Sequence, residues 1–460
     1  MTKAPAGPVR SAAELDAWIE REGIRYFRIG VFDVDGILRG KLVDREKLRS
    51  AVEKGFGFCD VVLGWDSHDE LYGAGVEVSG WHTGYRDAPV SLDLSTLRRI
   101  PSEDDTLLLL GSFGGEYAAV CPRQVLARTL AKAADMGFEV DAAFEYEFFL
   151  FDETPDSVRE KGYRDLRPFT PGMFGYSMLR GSVHAELHQA LLDEMEGLGC
   201  ALEGLHTETG PGVLEAAIRY VRGIDAADRA ALFKTYTKVF AQRAGLMATF
   251  MAKWSNDYPG QSGHLHLSLA EASSGRNAFH ADGAPHGMSD TMRHFVAGQV
   301  RYMPELLSMV CSTVNAYRRL VPGMWAPTSA TWGVENRTTA VRVIPGGPGA
   351  QRCEYRVAPA DANPYLAQAA ALASGLRGIE EALELPDPIE GNGYEDPRAR
   401  QSPLPSTLHE AALRLRASTM AREAFGDAFV DHFAATREWE DREHRRSVSD
   451  WDLARYFEII

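Results

Sequence analysis

The sequence predicts an α+β fold with a small, mostly β N-terminal part and a larger C-terminal part of strands and long helices, and three observations carry this prediction. Apolar residues of "RYFRIGVFDVDGILRGKLV" flank Asp35-Gly36, a dipeptide suited to the positive φ angles of a type I′ hairpin, so two antiparallel strands are read there. From Pro122 onward the pattern changes to long helices separated by short strand-like runs. At 460 residues and 45% hydrophobic, with no repeat and no low-complexity segment, the chain has material for more than one domain's core.

The elements follow in order. Ser11-Ala-Ala-Glu14 is a capping box that opens the first helix, because the serine can accept the N–H of Glu14 while the glutamate reaches back. The hairpin comes next, and the strand "DTLLLLGSF" precedes Gly114-Gly115, taken as the boundary between residues 1–115 and 116–460. A helix spans 122–136, opened by Pro122 and closed by Gly137, and "FEVDAAFEYEFFLF" follows as a strand. Further helices are read at 183–197, 224–250 and 362–383, with strands near 213–218, 263–269, 339–344 and 353–357.

A formal net charge of −16 opposes a nucleic acid or an anionic membrane as the main partner, since the long-range field repels both. The five cysteines lie far apart and form no C-x-x-C pair, which excludes the usual zinc spacings and a disulfide framework and points to a reducing cytoplasm. The N-terminus "MTKAPAGPVRSAAELDAW" has no apolar leader segment, and no apolar run approaches the ~20 residues of a membrane-spanning helix.

Chemistry concentrates in the C-terminal part. In "FEYEFFLF", Glu145 and Glu147 are two apart on a strand and project to one face, where they repel unless a cation sits between them; an edge strand with a solvated acidic face would read the same way. "GQSGHLHLSL" repeats the spacing with His264 and His266, preceded by Gly260 and Gly263, which allow close backbone approach to a ligand. Glu208 and Glu215 flank a Gly210-Pro211-Gly212 turn that can fold both carboxylates together, while "CEYRV" sets Glu354 and Arg356 on one face. Arg319, Arg337 and Arg342 add guanidinium forks that match carboxylates and phosphates, although each alone could be a surface ion-pair residue. Many oxygen ligands, an imidazole and several arginines describe a hard-cation site, Mg²⁺ or Mn²⁺, beside a polyanion, and phosphoryl transfer from a nucleotide is the chemistry they suit. "GILRGKL" is no phosphate loop, and His184 and His188 in "HAELH" are read as a solvated helix face.

Taken in order, "FEYEFFL", "HTETGPGVLE", "GQSGHLHLSL", "NAYRRLVPG", "ENRTTAVRVIP" and "CEYRVAPADANPYL" resemble the catalytic motifs of the glutamine synthetase superfamily. The hairpin and "WDSHDELY" are similar in placement to that family's N-terminal β-grasp domain and its aspartate loop. The resemblance implies a ligase in which ATP phosphorylates the γ-carboxylate of glutamate and an amine attacks the acyl phosphate. It implies one divalent metal on Glu147, Glu208 and Glu215 and a second on Glu145, His264 and Glu354. Arg319 and Arg356 would bind substrate carboxylates beside Gly260; Arg337 and Arg342 would face phosphates; His266 and Ser268 would lie near the nucleotide; His206 would contact the acyl phosphate. It also implies a homo-oligomeric double ring, a dodecamer, whose active sites lie between subunits, with Asp66 of one subunit serving the next.

The chain departs from the family pattern at "VPGMWAP", where ammonia-using members carry a glutamate and this chain carries Trp325. An indole offers a flat apolar wall and a cation-π face in place of a charge, so an organic amine is the expected nucleophile, with Asp66 left to bind and deprotonate it. The alternative is that Trp325 packs the flap and another acid, such as Asp69 or Glu70, serves ammonia, as in an authentic glutamine synthetase. A non-catalytic oligomer of the same fold would be expected to have lost ligands, yet all six metal positions are present. Val213 replaces the usual glutamine after Pro-Gly, and Tyr394 in "GNGYEDP" does not match the tyrosine segment that some members adenylylate.

Overall fold

Strand pairing follows the hydrophobic pattern. The computed structural model describes residues 9–73 and 75–460. The first eight residues, on which the reading of the N-terminus partly rests, lie outside the described residues. The first sheet contains β1 (Tyr26–Phe32), β2 (Leu38–Val43), β3 (Phe56–Cys59), β4 (Asp87–Arg99) and β5 (Thr106–Phe113), in the order β2-β1-β5-β4-β3. β5 is buried along its whole length because both its faces are covered: Leu107 and Leu109 join Leu15, Trp18 and Ile19 of the first helix, while Leu108 and Leu110 enter the main core. Ser11 does accept the Glu14 N–H, but the glutamate reaches the N–H of Arg10, so only half of the expected capping box forms.

The hairpin between β1 and β2 forms with Phe32 opposite Leu38. Its turn is not type I′. Only Gly36 takes a positive φ, 79°, and its N–H returns to the Asp33 carbonyl, which makes a tight turn followed by a glycine bulge. Asp33 Oδ1 accepts the N–H groups of Asp35 and Ile37 and so caps the loop that a two-residue turn would not need. The turn is held from outside as well: Arg437 donates to the Ser312 carbonyl and pairs with Asp35 at 2.8 Å, and Asn363 donates to the Val34 carbonyl.

The second sheet contains β6 (Phe138–Phe151), β7 (Leu202–Thr207), β8 (Val213–Ile218), β9 (Val221–Arg222), β10 (Met247–Thr249), β11 (Gly263–Glu271), β12 (Trp332–Val334), β13 (Val341–Ile344) and β14 (Arg352–Tyr355). Its path runs β12-β13-β14-β11-β6-β8-β7, with β9 and β10 also paired to β6. On β6 the even-numbered residues Val140, Ala142, Phe144, Tyr146 and Phe148 are buried, so Asp141, Ala143, Glu145 and Glu147 share the opposite face. The rings of Phe144, Tyr146 and Phe148 pack with Phe233 and Phe250 beneath the sheet. The helices Asp225–Arg243, Asp290–Val310 and Pro364–Glu380 cover this apolar side.

Two predicted helices are corrected. The helix expected over 224–250 stops at Arg243, because Gly245 adopts φ 75° and the apolar run that follows becomes β10. The helix expected at 183–197 is two, Met178–Val183 and Ala185–Gly197, separated at His184. Its histidines are not a solvated face: His184 packs on Phe169 at 4.4 Å between ring centroids, and His188 is half-buried. All five cysteines are free, and no described helix is long and apolar enough to cross a membrane.

Candidate active site

Sheet register assembles the site. His264 lies opposite Glu145 across β11 and β6, and Glu147 lies opposite Glu215 across β6 and β8. His206 faces Glu215 across β7 and β8, His266 faces Glu354 across β11 and β14, and Arg342 faces Glu354 across β13 and β14. Residues scattered in sequence from Glu145 to Glu354 thus become one row of cross-strand neighbours.

Two acidic groups stand on this row. His206, Glu208 and Glu215 offer ligand atoms within 4.8 Å of one another, and so do Glu145, His266 and Glu354. The folded-back turn brings Glu208 to Glu215 as its glycines predict: a Cβ on Gly212 would lie 2.5 Å from the Leu150 carbonyl. His206, expected at the acyl phosphate, stands beside Glu208 and Glu215, and His266, expected near the nucleotide, stands beside Glu145 and Glu354 and also lines the cavity described below. His264 stays in the second group, with Nδ1 3.2 Å from Glu354 and 3.8 Å from Glu145. Glu147 accepts the Ser262 N–H at 2.6 Å.

The electrostatics of the row call for cations. Burial, reinforced by Glu145, Glu147 and Glu208, pushes Glu215 up to about 10, and burial also raises Glu147. Burial works against Glu145 and Glu354 too, but the neighbouring imidazoles of His264 and His266, the latter hydrogen-bonded at 3.3 Å, hold Glu145 well below the usual range, and His264 and then Arg356 hold Glu354 at about 2. Burial and then the charge of Arg356 push His264 down to about 4, so the imidazole is neutral and able to ligate. Glu208 Oε2 and His264 Nε2 are buried without any hydrogen-bond partner, as is Arg356 Nε. Orphaned acceptors among crowded carboxylates fit hard divalent cations, and the oxygen-rich donor set with imidazole suits Mg²⁺ or Mn²⁺.

The arginines divide into braces and free groups. Arg356 pairs with Glu354, and Arg342 donates to Glu354 at 3.0 Å and pairs with Glu335. Arg342, expected at phosphates, therefore braces a carboxylate and does not line the cavity described below. Arg319 is 1% exposed and donates to the carbonyls of Val357 and Arg356 and to the Ser262 hydroxyl. Gly260 sits directly against it, since a Cβ there would lie 2.7 Å from Arg319 Cγ. Arg337 is exposed, makes no ion pair among the described residues, and acts on Tyr176.

A cavity of about 500 Å³ opens beside the row, lined by His266 and Ser268 and also by Asn277, Arg352, Tyr220 and Glu203. Its size and mixed lining suit a small-molecule ligand. Arg352 donates to His266 Nδ1 at 3.3 Å and went unnoticed in the sequence, although it stands two residues before Glu354 on the same strand face. Tyr176 was missed as well: its ring stacks on His206 at 4.4 Å, and its φ of 55° holds it in a strained conformation. Only a structure reveals that stacking, because Tyr176 lies in a loop without periodicity.

The remaining predicted residues stand on loops. Asp66 follows β3, and its Oδ1 accepts the N–H groups of His68 and Glu70 at 2.8 Å each, so it shapes its own loop and joins neither acidic group in this chain. Trp325 has φ 61° and is 55% exposed, and among the described residues its ring makes no aromatic pair.

A site of this charge and geometry has the chemistry to hold hard cations and anionic ligands on one sheet face. Comparison with known proteins narrows the class. The model of the glutamine synthetase catalytic domain matches residues 119–456, and the chain belongs to the glutamine synthetase family. It is 46% identical to the type-1 glutamine synthetase 2 of Dictyostelium discoideum over 95% of this chain and 84% of that one. It is 37% identical to a glutamate–isopropylamine ligase of a Pseudomonas species, over 96% and 97% of the two chains. A solved structure described as a GmaS/ADP complex superposes with a TM-score of 0.83 at 28% identity, covering 96% of this chain and 99% of the other.

Proposed function

We propose that this protein joins the γ-carboxyl of glutamate to an organic amine at the expense of ATP, through a γ-glutamyl phosphate. The observation that carries the reading is the pairing of two carboxylate–imidazole groups on one strand row with an exposed indole, Trp325, at the position where ammonia-using relatives are expected to hold an acid. Glu147, Glu208 and Glu215 with His206, and Glu145, Glu354 and His264 with His266, would hold Mg²⁺ or Mn²⁺. When bound, these ions neutralise the charge of the transferring phosphoryl group.

The chain's own residues do the rest. His266, Ser268 and Arg352 line the cavity that suits ATP, Arg356 offers its unpartnered Nε to a substrate carboxylate, and Arg337 stands free for phosphate oxygens. Arg319 shapes the wall beside Gly260. Trp325 gives the amine an apolar and cation-attracting surface in place of a counter-ion. Asp66 would reach the site from a neighbouring subunit of a double ring. Five free cysteines, four of them buried, accord with a reducing cytoplasm.

The description of the Dictyostelium relative favours a second reading, ammonia as nucleophile. Phosphate release from ATP with glutamate, across ammonium, small alkylamines, ethanolamine, polyamines and anilines, separates the two. Stimulation by an organic amine and not by ammonium is expected; stimulation by ammonium alone would sink the reading of Trp325.

A further inference from the structure

Residues 389–394 form a short segment that the catalytic motifs do not include, yet it is tied to the loop that carries Arg337. The Asn336 carboxamide donates to the carbonyls of Ile389 at 3.0 Å and Gly391 at 2.9 Å. The Gly393 N–H donates to Thr338 Oγ1 at 2.8 Å, and a Cβ on Gly393 would lie 2.8 Å from that same oxygen, so the two loops touch with no room for a side chain. Asn392 Oδ1 accepts the Tyr394 N–H at 3.1 Å and fixes the direction in which the next side chain leaves.

This fixed loop delivers a phenol whose oxygen has no partner. Tyr394 Oη is buried and makes no hydrogen bond. The charges that act on it are Arg356 and then Arg319; the backbone N–H of Trp325 also approaches, without meeting hydrogen-bond geometry. Arg356 Nε, buried and unpartnered, belongs to the same surroundings. Two donors of this kind, one cationic and one neutral, are what a buried carboxylate requires, and leaving both unsatisfied in the absence of a ligand carries a cost that a bound acid removes.

We infer that Tyr394 is a substrate-binding residue: its phenol donates to the carboxylate of the amino-acid substrate that Arg356 pairs, and its place beside Trp325 links acid binding to the amine wall. The inference rests on the ligase reading for the identity of the acid. It accounts for the tether to Asn336 and Thr338, which would serve no purpose for a solvent-facing loop.

Tyr394→Phe removes one oxygen and nothing else. The melting temperature of the unliganded variant is expected to stay the same or rise, because an unsatisfied buried hydroxyl is lost. The glutamate KM is expected to rise about ten- to a hundredfold, the range for a hydrogen bond to a charged group, while kcat and the amine KM change by less than about twofold. Titration calorimetry with glutamate in the presence of ADP and Mg²⁺ reads binding apart from turnover. Equal glutamate affinity in variant and wild type, or a rise in amine KM alone, overturns the role of Tyr394. A wild-type chain that binds glutamate, loses affinity on Tyr394→Phe and turns over no amine removes the ligase reading and leaves this one standing. No glutamate binding by the wild type overturns both.

Discussion

The strand-borne and loop-borne halves of the site are built on different terms. On β6, β8, β11 and β14 every acid and imidazole has a cross-strand partner fixed by register, and several are braced by arginines. Trp325 and Tyr176 stand on loops, at positive φ, and are largely exposed. A ligand set on paired strands cannot drift without moving a sheet, whereas a side chain on a loop can be exchanged at little cost to the fold. On the proposed reading, the chemistry that the reaction requires would be placed in the frame, and the choice of amine in the part that tolerates change.

Substitutions can break this division. Glu354→Gln, in the frame, is expected to reduce phosphate release by at least about a hundredfold, because loss of even a supporting metal contact has effects of that order. Circular dichroism should show a folded protein; retained activity would contradict the assignment of the second metal group. Trp325→Glu, on the loop, is expected to lower kcat/KM for the preferred organic amine about tenfold and to raise ammonium use, since it trades a cation-π wall for a charge. A variant with no gain in ammonium use would show that amine choice lies elsewhere.

Smaller effects sharpen the contrast. Tyr176→Ala removes a stacking partner of His206 worth about 1 kcal/mol, so a several-fold fall in kcat/KM is expected with no change in melting temperature. A fall in melting temperature would place Tyr176 with the frame. Far from the site, His432 is buried with both ring nitrogens unpartnered, and burial pushes its pKa down to about 4. Its folded pKa lies below the unfolded value of about 6.5, so its contribution to stability is whole above that pH and is lost as pH falls toward 4, up to about 3 kcal/mol in all. His432→Phe should therefore lose less stability than wild type between pH 7 and 4.5, with unchanged activity at pH 7; parallel unfolding curves would refute this.

Most of the frame was legible because strands announce themselves by alternation. Glu145 and Glu147, and His264 and His266, could be set on common faces from their spacing alone, and Gly210 and Gly212 marked the turn that joins Glu208 to Glu215. What spacing does not contain is register between strands distant in sequence. Hence spacing alone could not show that His206 and His266 also stand beside carboxylates, or that Arg342 donates to Glu354. The end of the helix at Arg243 was hidden because the apolar residues of β10 continue a helix-like pattern past Gly245. Tyr176 and Tyr394 lie in loops, where only the surrounding contacts reveal what a side chain faces.

The salt bridge between Arg437 and Asp35 has a bearing on how the chain is born. Its guanidinium is 2% exposed, and it also donates to Tyr72 Oη and to the Ser312 carbonyl. The β1–β2 hairpin leaves the ribosome well before Arg437 does. At ordinary synthesis rates the interval between them is on the order of tens of seconds, during which the hairpin tip keeps a carboxylate with no cation to meet it. The hairpin tip therefore gains its cation only when the later helix Asp427–Arg446 has been made and packs against it.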